Sequence, residues 1–284
     1  MPHELSRAAQ VRAMSRRVGQ RLTTSARVLP DFLVIGAQKA GTTSLGHFLG
    51  IHPDIFWSPR AEMHFFDRDY DRGLGWYRSW FERRSVLEAH ERRTGRPARV
   101  GEKTPAYLVI PDGPTRVHKA MPDVRLVVSV RDPVRRAYSQ WGMNKRMNRE
   151  PLPFLDALAA EPERVASVDA SRSVSGTSYL DHGYALRSRY AEHLERWLAV
   201  FDRSQLLVYR CEDLYADPAT WTTRIFDHIG VDPSAVSDLA LPHLGLGDRE
   251  PLDAATYEQV AERFRAADAQ LQDLVGLSYL QGVT

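Results

Sequence analysis

The eight residues at positions 36–43 have the composition of a phosphate-binding turn. Gly36 and Gly41 allow the backbone to turn sharply and to approach a ligand closely. Lys39 adds a mobile positive charge, and Thr42 and Thr43 add hydroxyl donors. The amides of such a loop, followed by a helix N-terminus, form a site for an anion. The predicted contacts to this anion are Gly36, Gln38, Lys39, Ala40, Gly41, Thr42, Thr43 and Ser44.

The position of the lysine separates this loop from that of the nucleoside triphosphatases, which reads G-x-x-x-x-G-K-[ST]. Gly36 and Gly41 keep the glycine spacing, but Thr42 stands where that motif has lysine, and Lys39 lies inside the loop. No apolar run ends in a clear magnesium-binding aspartate. These features argue against a P-loop nucleotide-dependent phosphotransferase, although a magnesium requirement would revive that alternative. A nucleotide-binding module without catalysis is a second alternative.

A further anion site is predicted around Arg131. This residue follows the most apolar run of the chain, residues 124–130, and open α/β sheets bind ligands at the carboxyl ends of their strands. Its guanidinium suits a phosphate group. Ser139 lies about two helical turns further on and can donate a hydroxyl to the same phosphate. Arg135 and Arg136 are expected to be solvated charges.

The pattern of apolar runs predicts the elements that position these residues. Short strands at 32–35, 55–57, 124–130 and 205–209 alternate with helical patterns at 43–49, 76–81, 134–141, 190–201 and 254–275. This alternation predicts a parallel sheet with helices on both faces. We therefore expect a single α/β domain at 29–284, with a P-loop-like three-layer fold, after a basic N-terminal arm at 1–28. The polar stretch 144–178 is predicted to be an exposed loop over the substrate cleft.

Composition excludes several classes of function. The net charge of +2 gives no global basic field for nucleic acid. The single cysteine, Cys211, permits no intrachain disulfide, and the ten histidines show no paired metal-ligand spacing, so no metal is expected. No apolar run approaches the ~20 residues that span a bilayer. The arginine-rich residues 1–28 suit either a frayed arm or a peripheral membrane or targeting segment. We expect a cytoplasmic protein, and its oligomeric state is not specified.

Two motifs resemble the cofactor site of the PAPS-dependent sulfotransferases, where PAPS is 3′-phosphoadenosine 5′-phosphosulfate. Residues 36–45, GAQKAGTTSL, resemble the 5′-phosphosulfate loop, and residues 127–139 resemble the 3′-phosphate motif with Arg131 and Ser139. The resemblance is nearest to the branch of heparan sulfate N- and O-sulfotransferases and their bacterial relatives. It implies PAPS as the sulfuryl donor, 3′-phosphoadenosine 5′-phosphate (PAP) as the product, and no metal. The implied acceptor is a hydroxyl or amine of a carbohydrate, a glycolipid or a glycosylated natural product.

The resemblance also implies catalytic residues. Residues 60–67 resemble the family segment Lys-Glu-x-His-Phe-Phe, which places the base at Glu62, although Ala61 replaces the lysine. A positioned carboxylate base contributes roughly 10²–10⁴-fold to a rate. His64 is the rival base, because histidine serves in the aryl and steroid sulfotransferases. The likeness continues at residues 101–107, which place Lys103 near the transferring group beside Lys39, and at residues 247–249, which make Arg249 a cofactor contact.

Overall fold

The computed structural model describes residues 24–166, 178–236 and 251–280. Its centre is a sheet of five strands in the order β2-β3-β1-β4-β5, and every neighbouring pair is parallel. All five carboxyl ends therefore lie along one edge of the sheet. The predicted parallel α/β sheet is confirmed. The strands are β1 (Phe32–Gly36), β2 (Ile55–Trp57), β3 (Arg99–Lys103), β4 (Arg125–Val130) and β5 (Leu206–Arg210).

Helices connect the strands and cover both faces of the sheet. In chain order they are α1 (Thr42–Ile51), α2 (Gly73–Arg78), α3 (Arg84–Thr94), α4 (Gly113–Ala120), α5 (Pro133–Arg146), α6 (Phe154–Ala166), α7 (Ser178–His182), α8 (Tyr190–Leu198), α9 (Cys211–Ala216), α10 (Pro218–Ile229), α11 (Ala254–Ala261) and α12 (Arg265–Val275). Short 3₁₀ turns join some of them, including the turn Tyr107–Val109 after β3.

The central strand β1 is buried on both faces, as its continuous apolar run predicts. Successive side chains of a strand point to opposite faces. Leu33 and Ile35 accordingly pack into the core cluster that contains side chains of α2, α4 and α8. Phe32 and Val34 pack into the cluster that contains side chains of α1 and α10. This arrangement gives three layers, helices on sheet on helices, and confirms the predicted architecture.

Strand β3 is the element that the hydrophobic pattern does not reveal. Its sequence, RVGEK, contains a glycine and three charged residues, yet Val100, Gly101 and Glu102 are buried. Gly101 is required here because a Cβ atom at this position would overlap the ring of Phe32 on β1. Glu102 and Lys103 stand at the carboxyl end of β3, the edge of the sheet at which the phosphate loop also lies.

Some predicted elements are wrong in extent. Residues 144–178 are not one exposed loop, because α5 continues to Arg146 and α6 buries Phe154 and Leu158. Residues 167–177 of that stretch lie outside the described residues. The predicted helix at 254–275 is divided into α11 and α12 by a 3₁₀ turn. The predicted helix at 76–81 ends at Arg78, although Tyr77 and Phe81 are buried as expected.

The boundary between the N-terminal arm and the domain stays a prediction, because most of residues 1–28 lie outside the described residues. Within residues 24–166, 178–236 and 251–280, no helix is long and apolar enough to cross a membrane.

Candidate active site

The phosphate loop joins β1 to α1 and is fixed to the neighbouring strand β4. The amide of Ala37 donates to the carbonyl of Ser129 at 2.6 Å, and the Ser129 hydroxyl donates to the carbonyl of Ala40 at 2.6 Å. Lys39 and Gly41 adopt left-handed φ angles of 72° and 74°. Such angles suit glycine, and they turn the chain into the helix within a few residues. The loop therefore holds its shape through contacts to β4.

The N-terminus of α1 presents the donors that the sequence predicts. The first turn of any α-helix leaves backbone N–H groups without an intrahelical acceptor, and here they belong to Thr42, Thr43 and Ser44. The helix dipole adds a partial positive charge at this end. The Ser44 hydroxyl also accepts a hydrogen bond from the Tyr215 hydroxyl at 2.5 Å. Tyr215 is a neighbour of the loop that no sequence motif identifies.

Arg131 lies beside this loop, as predicted. It directly follows β4 and is 5% exposed, and its Nη1 donates to the carbonyl of Lys39 at 3.5 Å. The backbone carbonyl of Arg131 accepts a hydrogen bond from the Tyr190 hydroxyl at 2.8 Å. The Nζ of Lys39 lies 3.9 Å from the sulfur of Met143 on α5. Ser139 is half-buried on the same helix.

Arg136 contradicts its predicted role as a solvated charge. It is 1% exposed, whereas its neighbour Arg135 is exposed as expected. Its guanidinium donates to Gln140 Oε1 at 2.9 Å, to the carbonyl of Tyr184 at 2.5 Å and to the hydroxyl of Ser188 at 2.5 Å. It also reaches the carbonyl of Gln38 in the phosphate loop at 3.5 Å. Arg136 therefore ties α5 to the loop and to the chain before α8.

Glu62, His64 and Lys103 come together at the carboxyl ends of β2 and β3. The Nε2 of His64 lies 3.2 Å from Glu62 Oε2, and the Nζ of Lys103 lies 3.5 Å from Glu62 Oε1. The guanidinium of Arg60, an alternative partner for Glu62, instead lies over the ring of Trp80 at 5.1 Å. The structure thus places three of the four predicted catalytic side chains in one cluster.

Asp67 completes this cluster and determines the charge of His64. The buried carboxylate of Asp67 lies 2.8 Å from the Nδ1 of His64. Burial alone would lower the pKa of His64, but the hydrogen bonds to Asp67 and Glu62 outweigh it and raise that pKa to about 9. Burial would raise the pKa of Glu62, but the hydrogen bond to His64 and the charge of Lys103 outweigh it and lower that pKa.

These pKa shifts distinguish Glu62 from His64 as the candidate base. Near neutral pH His64 is an imidazolium, which has no lone pair to accept a proton. Glu62 is an ionised carboxylate that His64 and Lys103 hold in one orientation. The geometry therefore favours Glu62 as the proton acceptor and His64 as its positioning partner.

Two site predictions remain, one for Arg249 and one for metal ligands. Arg249 lies outside the described residues, so its predicted contact to the cofactor stays a prediction. In the ranges that the structure describes, no group of three or more His, Cys, Asp or Glu side chains is arranged to hold a metal ion.

The chain is similar to known sulfotransferases in sequence and in structure. Residues 29–244 match the family model described as sulfotransferase domain. The chain is 35% identical over 211 residues to human heparan sulfate glucosamine 3-O-sulfotransferase 3A1, and the aligned region covers 74% of this chain and 46% of that protein. It is 33% identical over 215 residues to human bifunctional heparan sulfate N-deacetylase/N-sulfotransferase 3, covering 72% of this chain and 23% of that protein. The chain thus spans half or less of the length of these two curated relatives.

A solved sulfotransferase from Alicyclobacillus acidocaldarius superimposes with a TM-score of 0.68 at 28% identity, covering 89% of this chain and 98% of the other. A second, from Mycobacterium avium, shares the fold at 16% identity, with a TM-score of 0.53 over 95% of this chain and 82% of the other. Because the family model matches most of the chain, and because strands, loop and helix N-terminus have the arrangement described above, the chain belongs to the sulfotransferase family.

Proposed function

We propose that this chain transfers a sulfuryl group from PAPS to a hydroxyl or amine of a carbohydrate-bearing acceptor. The observation that carries the proposal is the ionised Glu62, held by His64 and Lys103 at the same sheet edge as the phosphate loop. A proton acceptor and an anion site therefore stand side by side. Family membership supports the same reaction class.

The residues present fit the nucleotide. The amides of α1 and the hydroxyls of Thr42 and Thr43 would hold the 5′-phosphosulfate, and Arg131 with Ser139 would hold the 3′-phosphate. The side-chain oxygen of Gln38 is buried without a hydrogen-bond partner in the described part of the chain. Buried oxygens of this kind are normally satisfied, so a bound ligand or water belongs here.

Each catalytic group has one role in the proposal. PAPS supplies, when bound, an activated sulfuryl group and leaves as PAP. Glu62 accepts the proton of the acceptor hydroxyl or amine, and His64, held by Asp67, keeps that carboxylate oriented. Lys103 and Lys39 provide positive charge where negative charge develops during in-line transfer. The reaction proposed needs no metal ion.

The proposed acceptor is a glycan, a glycolipid or a glycosylated small molecule. Two relatives bear heparan sulfate in their names, which supports a carbohydrate. Ala61 replaces a lysine of the family segment, so the site has one positive charge fewer than a site for a polyanionic chain would use. The proposed location is the cytoplasm, since the single cysteine leaves the fold independent of an oxidising compartment.

The test is an acceptor screen with ³⁵S-labelled PAPS. Unsulfated and N-sulfated heparosan oligosaccharides, a glycolipid and a glycosylated phenol are incubated with the full chain, and the products are read by mass spectrometry. The expected result is label transfer to at least one glycosylated acceptor, and transfer roughly 10²–10⁴-fold slower with the Glu62→Gln variant. Transfer of the γ-phosphate of ATP in the presence of magnesium, or PAP binding with no transfer to any acceptor, would overturn the proposal.

A further inference from the structure

Two hydroxyl groups hold the segment that carries Glu62 and His64 by hydrogen bonds to its backbone amides. The amides of Met63 and His64 donate to Oγ1 of Thr104 at 3.0 and 3.3 Å. The next two amides, of Phe65 and Phe66, donate to the hydroxyl of Tyr107 at 2.8 and 3.4 Å. Four consecutive amides are thus bound by side chains that follow β3, and this part of the segment has no helix or strand of its own. The two hydroxyls therefore set its position.

A hydroxyl has one proton and two lone pairs, so a hydroxyl that accepts from two amides still has its proton to donate to another group. The buried Glu102 on β3 takes this proton. Thr104 donates to Glu102 Oε1 at 2.6 Å, and this hydrogen bond orients the Thr104 hydroxyl. The other carboxyl oxygen, Oε2, accepts from the hydroxyl of Tyr77 on α2. Glu102 touches neither Glu62 nor the phosphate loop in these contacts.

We propose that Glu102 is a positioning residue for sulfuryl transfer. It accepts a hydrogen bond from the Thr104 hydroxyl, so that the lone pairs of this hydroxyl hold the amides of Met63 and His64 and fix the base Glu62. The inference rests on the proposed function of Glu62. The proposed role requires an oxygen at position 102 that accepts a hydrogen bond.

The protonation of Glu102 is compatible with this role. Burial raises the pKa of Glu102 to about 7, so a proton is bound for part of the time near neutral pH. The oxygen of Thr104 already accepts two amides and has no lone pair for a third donor. A proton bound by Glu102 would therefore lie on Oε2, and the Tyr77 hydroxyl, which donates to Oε2 when Glu102 is ionised, would turn to accept it. The Thr104 hydroxyl keeps its orientation in both forms.

An accepting oxygen at position 102 can be retained or removed by substitution. Glu102→Gln retains an oxygen that can accept from Thr104, with its NH₂ group directed at Tyr77. Glu102→Met has a similar length and removes the acceptor. Thr104→Val and Thr104→Ser form a second pair, in which the hydroxyl is removed or retained. In Glu102→Met the Thr104 hydroxyl loses the acceptor of its proton, and we expect it to hold the amides of Met63 and His64 less firmly.

The measurements are backbone hydrogen exchange at residues 63–66, single-turnover rate with saturating PAPS, and calorimetric binding of PAP. For Glu102→Met we expect exchange at these amides to speed up about five-fold, the loss of one ordinary hydrogen bond. Turnover should fall roughly 10- to 100-fold through misplacement of the base. PAP affinity should stay within about two-fold, since the nucleotide contacts lie on other loops. Glu102→Gln should restore both exchange and turnover.

Two results would overturn the inference. Exchange at residues 63–66 and turnover could be unchanged in Glu102→Met, or Glu102→Gln could be as damaging as Glu102→Met, which would make the charge and not the accepting oxygen decisive. If Glu102→Met fails to fold, the test is made with Thr104→Val. We expect this variant to show faster exchange and lower turnover, and Thr104→Ser must restore both. Full activity of Glu62→Gln would refute the proposed base and leave the exchange result standing, so the two failures are distinguishable.

Discussion

The charge of His64 depends on Asp67, and this dependence can be measured. The Asp67→Asn variant keeps an oxygen that accepts from the Nδ1–H of His64, but it removes the negative charge 2.8 Å away. We expect the pKa of His64, raised to about 9 in the intact protein, to fall toward its ordinary value.

The size of the change follows from the hydrogen bond that is lost. A hydrogen bond to a charged group contributes about 1.5–3 kcal/mol, and one pKa unit corresponds to about 1.4 kcal/mol. The pKa of His64 should therefore fall by roughly one to two units, to about 7–8. Because the intact pKa is raised, the charged form is retained until the pH rises through about 9. At pH 8 the intact protein should carry a protonated His64 in about nine molecules of ten, and the variant in about a quarter.

The assay is an NMR titration of the imidazole Cε1–H group between pH 5.5 and 10. The protein has ten histidines, so the His64→Asn variant identifies the resonance. Turnover of Asp67→Asn should fall between pH 7 and 9, where the intact protein is still active, because the imidazole has lost the charge that orients Glu62. A titration of the intact His64 near pH 6.5, or the same pKa in Asp67→Asn, would refute the reasoning.

Four further predictions follow from the site. Glu62→Gln should lower turnover by roughly 10²–10⁴-fold with PAP affinity nearly unchanged, and His64→Asn should cost less, both measured as single-turnover rates. PAP should bind roughly 10- to 100-fold more tightly than adenosine 5′-phosphate by calorimetry, and Arg131→Ala should remove most of this difference. Arg136→Ala should lower the free energy of unfolding by about 3 kcal/mol in urea titrations, because it leaves buried acceptors unsatisfied, whereas the exposed Arg135→Ala should cost at most ~1 kcal/mol. Activity should survive excess EDTA, and a loss that magnesium reverses would contradict the proposed mechanism.

The sequence predicts the fold best at the buried strands, where the residues must be apolar because both faces of the strand are covered. The apolar runs of β1 and of β4 from Leu126 to Val128 have no polar interruption, and the ends of the two strands mark the phosphate loop and Arg131. Glycine spacing and helix position then predict the anion site without any knowledge of distant contacts. The loop and the helix N-terminus are local features, so local sequence is sufficient for them.

Long-range partners explain what the sequence did not predict. Strand β3 has polar residues at buried positions because Glu102 is satisfied by hydroxyls that are distant in sequence, such as Tyr77. Arg136 is one residue from the exposed Arg135, and acceptors distant in sequence, at residues 184 and 188, contribute to making its burial favourable. Asp67 contacts His64 across a turn in which His64 has the unusual φ of 54°.

The two ends of the site differ in how their charges are arranged. At the acceptor end Glu62 lies beside the positive His64 and Lys103, and Asp67 lies beside His64 and Arg68, whose Nε is 3.8 Å away. At the other end Lys39, Arg131 and Arg136 surround the phosphate loop, and the buried Arg136 donates to neutral oxygens of residues 38, 140, 184 and 188. The carboxyl of Glu161 is close enough to Arg136 to act on its pKa. The positive side chains around the loop fit the anionic nucleotide proposed above. The paired carboxylate fits an acceptor that would arrive as a neutral hydroxyl and give its proton to Glu62.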